Sequence, residues 1–486
     1  MSAHTPHHDD MDVESDSEVL LDPAEAGEEI LDDGDAPMDS GSEDGDADMR
    51  MEIQLQNDST AHFDEHKDSI FCIAQHPVHN HIIATGGGDD VGYIFDVSSL
   101  PESSNGQGER EGVKSLFKLD GHTDSINAIT FTNPKGQYIA TAGLDGKLRV
   151  WQGVPDGSRW KFLAEASEVE EINWVSPCPS PDHPNVVALG ANDGSVWVYQ
   201  FDAAQKSNPL NVLQAFYLHT EATTAGSWSA DGKLLATVSE DSSLYVWDVF
   251  GDAAAQGLTS EGSTSTVVGL TGIDERFKIE GGLYSVGVAP NNAFVAVGGP
   301  EGQVRIIGLP RLSSSTSTST APTKGKTASK ASTGQAGQIL AALQAGSDNV
   351  ETFAFSAPPT TLMAVGNVDG SITLFDTAHR FAVRRRIEDA HCDDEAPQAV
   401  VKIEFVQREG PGAWLLRSVG YDGVLRSWDT RGGTAAANKG LVGEWRGHRG
   451  GGEGGGIMGF VQGDGDVVVT AGDDGVALVF KTPVQA

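Results

Sequence analysis

A carboxylate in a tight turn, followed six positions later by a large apolar residue, recurs along this chain at intervals that few architectures accommodate. Asp145 and Trp151 define the pattern. It returns as Asp89/Phe95, Asp193/Tyr199, Asp241/Trp247, Asp369/Phe375, Asp422/Trp428 and Asp474/Phe480, with a weaker copy at Glu301/Ile307. The eight copies stand 48 to 68 residues apart. The fullest one runs from Gly121-His122 to Trp151, as GHTDSINAITFTNPKGQYIATAGLDGKLRVW. Alternating apolar residues give a strand one buried face, and an Asp-Gly turn folds it onto a hairpin partner. The closing aromatic is large enough to wedge between neighbouring sheets. The turn Asp is placed to accept hydrogen bonds from backbone amides and from the Gly-His imidazole, which ties the loop before the first strand to the turn.

Repeats with Gly-His near the start and Trp-Asp at the end are the signature of a WD-repeat β-propeller. Gly121-His122, Gly447-His448, Trp247-Asp248 and Trp428-Asp429 match it plainly. The fifth copy lacks both the His and the aromatic, and the third and sixth lack Gly-His. The expectation is an all-β, eight-bladed propeller, with seven blades plus an irregular insertion as the alternative. The blades fall at about 62–115, 116–162, 163–214, 215–276, 277–337, 338–385, 386–442 and 443–482. The last copy stops after its third strand, and an unfinished blade leaves an open edge. Residues 51–56 (MEIQLQ) alternate apolar and polar, so they are expected to supply the closing strand. Residues 311–337, rich in Ser, Thr and Lys, are expected to form a disordered loop, and residues 250–275 a similarly polar insertion.

Charge narrows the function. The chain carries a formal net charge of −38. Residues 1–50 hold 18 acids and one base and read as a disordered acidic tail, either solubilising or an arm for a basic client. The remainder still carries −21. Such a surface disfavours nucleic-acid phosphate and anionic lipid, and favours a basic partner. No apolar run reaches 18 residues and no basic-then-apolar leader opens the chain, which predicts a soluble cytoplasmic protein. Cys72, Cys178 and Cys392 form no C-x-x-C pair, in keeping with a reducing compartment.

Catalytic signatures are missing. There is no G-x-S-x-G, P-loop or H-E-x-x-H. The formal G-x-G-x-x-G within residues 450–456 precedes a strand rather than opening a helix, so no dinucleotide site is expected. His76, His79 and His81 lie in a turn with no Cys or carboxylate at a ligand interval, and read as a solvated turn rather than a metal site. The reading is of a non-enzyme without cofactor or metal. Asp89, Asp145, Asp193, Asp241, Asp369, Asp422 and Asp474, with His122, His448, Trp151, Trp247 and Trp428, are assigned structural roles in the turns.

What remains is surface. In a propeller, the loops entering the first strands and the turns after the second strands crowd around one mouth of the central channel. Here they carry many acids and few bases, chiefly Lys67, Arg446 and Arg449. Asp68, Asp124, Glu170, Glu171, Glu240, Asp348, Glu351 and Asp473 are the candidate client-binding residues. A one-signed mouth suits the Arg and Lys of an extended peptide.

Specific stretches point further: VEEINW (169–174), GANDGSVWVYQF (190–201), HKDSIFCIAQHP (66–77) with ATGGGDD (84–90), and VTAGDDGVALVFKTP (469–483). They resemble the Sqt-type WD-repeat ribosome-assembly chaperones, dedicated to the large-subunit ribosomal protein L-ten (bacterial L-sixteen type), and the related animal angio-associated migratory cell protein. The resemblance spans most of residues 62–483. It implies an eight-bladed propeller whose acidic face holds the basic amino-terminal segment of a newly made ribosomal protein and releases it to a cytoplasmic pre-60S particle, the protein itself acting as a monomer. Asp124, Glu170, Glu171 and Asp473 lie within or beside the matching motifs; Asp348 and Glu351 rest on loop position alone. The competing readings are a general interaction scaffold, in signalling or as a ubiquitin-ligase substrate receptor, and a propeller enzyme.

Overall fold

The computed structural model describes residues 56–98, 111–260, 262–263, 265–312, 335–393, 396–406, 414–432, 440–450, 455–462 and 466–483. Among the described residues eight sheets form blades of four antiparallel strands, one of them with a fifth strand at its edge, and a two-stranded ribbon pairs Cys392–Asp393 with Ala396–Pro397. Blade 2 is representative: Ile126–Phe131, Tyr138–Gly143, Leu148–Gly153 and Trp160–Ala166 pair in sequence order. The inner strands of the eight blades are Ile70–Gln75, Ile126–Phe131, Ile172–Pro177, Thr223–Trp228, Ser285–Val288, Val350–Phe355, Val400–Phe405 and Ile457–Gln462. Each packs against the inner strand of the next blade, and the eighth packs against the first, so the ring closes.

The second strands explain the packing. IIATGG, YIATAG, VVALGA and LLATVS are buried at every position, because each lies mid-sheet with a neighbouring blade on either face. Small Ala, Gly and Thr alternate there with branched residues, which lets adjacent sheets approach. The aromatic of the repeat fills the space between blades: Trp151 is 1% exposed and packs with Ile139, Phe131 and Trp160. In the degenerate fifth blade Ile307 takes this place, fully buried.

Closure differs from the expectation. Residues 51–55 lie outside the described residues, Gln56 is not in a strand, and Ala61–Phe63 pairs antiparallel with Ala477–Lys481 to finish blade 8. Alternation in MEIQLQ signals a strand of period two but not its partner. Side-chain fit decides the pairing: Ala61 and Phe63 are fully buried, and the Phe63 ring stacks on Phe95 of blade 1 with centroids 4.4 Å apart. Glu111–Gly112 adds a short parallel strand outside it.

Three further corrections follow from packing. Residues 250–275 are not merely a polar insertion, because Thr266–Leu270 is the outer strand of blade 4. Asp248 folds the chain back there by accepting from the amides of Gly251 (2.9 Å) and Ala254 (2.7 Å), while Val267, Val268 and Phe277 bury against blade 5. Ser115–Leu119 pairs with Gly92–Asp96, so the boundary near 115 falls at an outer strand rather than between sheets. The turn of residues 76–81 is only partly solvated: Pro77 and Val78 are exposed, but His76 is 2% exposed and meets the edge of Phe131. The expected loop at 311–337 and the tail at 1–50 lie outside the described residues, apart from 311–312 and 335–337.

Two buried guanidinium groups tie consecutive blades. Arg385 of blade 6 donates to the carbonyls of Asp429 (2.9 Å) and Arg431 (2.7 Å) in blade 7. Arg417 of blade 7 donates to Gln462 Oε1 (2.9 Å) and Thr482 Oγ1 (2.6 Å) in blade 8.

Candidate functional site

The turn acids are built into the frame. Asp145 accepts from His122 Nδ1 (3.0 Å) and from the Thr123 amide (2.9 Å). His122 Nε2 in turn meets Thr141 Oγ1 at 2.7 Å. Asp474, His448 and Thr470 repeat the chain in blade 8. In blades 4 and 7 it extends to the indole: Trp247 Nε1 donates to Thr237 Oγ1 (2.8 Å), and Trp428 Nε1 to Ser418 Oγ (2.8 Å). Every group finds a partner if the imidazole is neutral. Burial agrees, pushing His122 and His391 below the ordinary imidazole value. Burial alone would raise the Asp145 carboxyl; the Thr123 amide and the His122 imidazole outweigh it and hold it low. Asp193 and Asp369 stand in blades without this His and bind Ser195 and Ser347 instead.

Three imidazoles of this kind, His66, His219 and His391, escape the Gly-His signal. His66 meets Asp89 at 3.0 Å and His391 meets Asp422 at 2.8 Å, while His219 reaches Asp241 through Ser243. The usable signal was spacing: His66 precedes Asp89 by 23 residues, as His122 precedes Asp145.

With the turn acids engaged, the candidate acids separate from them. Asp68, Asp124, Glu170 and Asp348 occupy one equivalent position, two residues before the inner strands of blades 1, 2, 3 and 6. Asp68, Asp124 and Asp348 each accept from the next residue's amide, at 2.7–2.8 Å, through one oxygen, which fixes the loop. Glu171 and Asp473 are half-exposed, and Glu170 and Glu240 are exposed. Among the described residues none of the eight candidates forms a salt bridge.

Glu351 is placed by a bulge. In seven of the eight blades the pairing of inner and second strands slips after the first residue. A bulge re-aims the extra side chain. At this position Asn127, Asn173 and Thr224 donate across to the backbone of the next blade, at 3.0, 3.0 and 2.6 Å. Glu351 holds the same position in blade 6 but, ionised, has nothing to donate. It stays exposed to solvent within a crowded mouth, where the surrounding protein and the like charge of Asp348 raise its carboxyl above the usual range.

Tyr421, in the turn after the second strand of blade 7, joins this group. It is 41% exposed, and burial of its ring with the fields of Glu351 and Asp473 raises its phenol. Tyr421 abuts Gly456, whose carbonyl accepts from the Asp473 amide at 2.9 Å, so the charges of Glu351 in blade 6 and Asp473 in blade 8 both act on this blade 7 side chain. The sequence reading missed Tyr421, whose only signal was adjacency to the turn acid Asp422.

Other acids of this face are committed elsewhere. Glu165 pairs with Arg149, Glu280 with Lys278 (2.8 Å), and Glu65 holds the Ser115 amide (2.8 Å). Asp394, Glu395 and Glu453 lie outside the described residues. Of the bases, Arg446 pairs with Glu444 at 2.7 Å. Among the described residues no three His, Cys, Asp or Glu side chains are grouped to hold a metal ion, and no helix is long and apolar enough to cross a membrane.

Comparison with known proteins agrees with the fold and narrows the family. The family described as WD domain, G-beta repeat, matches residues 57–96, 113–152 and 210–248. The crystal structure of Chaetomium thermophilum Sqt1 bound to the N-terminus of the ribosomal protein L10 is 50% identical, covers 88% of this chain and 100% of that one, and superposes with a TM-score of 0.76. The ribosome assembly protein SQT1 of Saccharomyces cerevisiae is 26% identical, over 89% of each chain. The human angio-associated migratory cell protein is 26% identical, over 87% of this chain and 80% of its own. With half its residues identical over 88% of its length and the whole of a Sqt1 chain, the chain belongs to the Sqt1 family of WD-repeat proteins.

Proposed function

We propose that this protein is a dedicated, non-catalytic chaperone that holds the basic amino-terminal segment of ribosomal protein L10 on the acidic mouth of its propeller and delivers it for cytoplasmic assembly of the large ribosomal subunit. The observation that carries this reading is that Asp473 and Tyr421 share Gly456 as a neighbour, within the field of Glu351, and that among the described residues neither acid, nor Asp348, forms a salt bridge. The Chaetomium relative, seen with the L10 N-terminus bound, supports it. One exposed ion pair contributes only about 0–1 kcal/mol, so the binding energy must be shared around the rim by Asp68, Asp124, Glu170, Glu171 and Glu240. Masking the client's Arg and Lys would keep them from RNA until delivery, and the one-signed field would speed capture.

The test is calorimetric binding of a synthetic L10 amino-terminal peptide at low and high salt, to the native protein and to Glu351→Lys/Asp348→Lys. Affinity should fall at least tenfold in the double variant and fall steeply with salt. Binding indifferent to both would remove the electrostatic mechanism. Retention of several unrelated partners with equal affinity would favour a general scaffold.

A further inference from the structure

Blade 3 carries an aromatic wall that no cation of the described chain covers. Tyr199 is buried with its hydroxyl 2.8 Å from Glu168 Oε2; Trp197 lies stacked beside it, centroids 6.3 Å apart; Tyr217 meets Trp197 edge-on at 5.9 Å. The wall climbs from the interior to solvent, ending at Tyr217, 63% exposed, and Leu218, 48% exposed. The loops around it are in register: the Asn192 amide donates to the Glu171 carbonyl at 3.2 Å, and Gly194 packs against the carbonyls of His219 and Glu221. Glu168, exposed, thus brings a carboxylate to the inner end of the wall through its bond to the Tyr199 hydroxyl, and Glu221, also exposed, lies in the loop that packs on Gly194.

Blade 2 shows what such a place accepts. Arg149 is the second residue of its third strand, as Trp197 is in blade 3. Its guanidinium lies 4.5 Å from the Phe162 ring centroid and is paired with Glu165. The same chemistry, an aromatic face beside a carboxylate, recurs on blade 3 without the arginine. An exposed aromatic pair rimmed by carboxylates suits a guanidinium, which is planar, stacks on rings and is weakly hydrated, better than an ammonium.

We propose that Trp197, Tyr217 and Leu218, with Glu168, form a second docking surface that takes an arginine-bearing stretch of a basic polypeptide, the guanidinium stacking on Tyr217. The surface rests on the reading that the client is basic, and extends it: the client is held at two places on the face, one by charge alone and one by stacking. Two sites on one polypeptide also raise affinity through effective concentration.

The test uses two synthetic 16-residue peptides, one of alternating Arg and Gly and one of alternating Lys and Gly, titrated calorimetrically into the full chain. The native protein should prefer the Arg peptide. Tyr217→Ala should weaken it by about threefold to tenfold, Tyr217→Phe should restore it, and the Lys peptide should change less than twofold. Thermal melts of both variants should match the native one, since Tyr217 is exposed. Equal losses for both peptides, or no loss in Tyr217→Ala, would overturn the stacking surface. If Glu351→Lys abolishes binding in the same series while Tyr217→Ala is silent, the acidic-mouth reading survives and this one falls. Indifference to Glu351→Lys as well would sink both.

Discussion

The Ser69 hydroxyl lies 2.5 Å from Asp473 Oδ1 and 2.9 Å from the Asp473 carbonyl, joining residues 404 apart in the chain. Ser69 follows the closing strand into blade 1, and Asp473 belongs to the last blade. One contact therefore couples closure of the ring to the aim of a candidate client-binding carboxylate.

Truncation should respect that coupling. A chain beginning at residue 56 keeps Ala61–Phe63 and should melt as the full chain does. One beginning at residue 64 loses Phe63 and the edge cover of Ala477–Lys481. Removal of a buried Phe costs about 3–5 kcal/mol, and a bare edge invites association. The expected outcome is a lower melting temperature with aggregation by light scattering; equal melts for both would show that closure lies elsewhere.

Loss of a turn acid should cost more where a buried imidazole depends on it. Asp145→Ala strands the buried His122 Nδ1, and an unsatisfied buried group costs about 1–3 kcal/mol; the exposed Thr123 amide is left to solvent. Asp193→Ala removes only bonds to nearby Ser195 and should cost less. Urea unfolding midpoints give the comparison directly, and the reverse order would refute it.

Stability should depend on pH through the histidines. Burial holds His122 and His391 below the ordinary imidazole value, and burial with the neighbouring His79 pushes His76 down to about 4. The unfolded chain then binds protons more readily than the folded one. Stability should be level above about pH 6.5 and fall below it, by about 1.4 kcal/mol per pH unit for each imidazole that stays neutral. For His76 the decline ends near pH 4. The turn acids, held low, remain ionised through most of this window. Denaturant titrations at pH 7.5, 6 and 5 would test this, and a flat profile would contradict it.

Client binding should depend on pH through Glu351. Desolvation in the crowded loop and the charge of Asp348 raise its carboxyl, so it neutralises at a higher pH than an ordinary glutamate. Affinity for the L10 peptide should fall as the medium is acidified, and Glu351→Gln should bind more weakly at pH 7 with a shallower dependence. Parallel curves for the two proteins would exclude Glu351 as the titrating group.

Much of the ring was legible because its determinants are local. A turn acid, a strand of period two and an aromatic six residues on are read within one repeat, and even Glu301/Ile307 marked a real blade. Closure was not legible, since residues 51–56 and Ala61–Phe63 both carry strand-like alternation. Nor were the histidines outside Gly-His, because no preceding glycine marks them and their turn acids lie at unequal intervals, 22 to 31 residues on. The acids of the mouth looked alike in sequence, yet Glu165 and Glu280 proved paired within the chain and Glu351 did not.

The repeat by itself determined an all-β propeller, and the stretches at 66–77, 169–174, 190–201 and 469–483 carried the family, since strand period and turn chemistry are properties of short segments. Only the tertiary structure decided between eight blades and seven, that Ala61–Phe63 closes the ring, and that Tyr421 and Asp473 flank Gly456. Strand pairing and the field at a carboxylate depend on groups brought within a few ångströms from distant parts of the chain, and no local pattern encodes that approach.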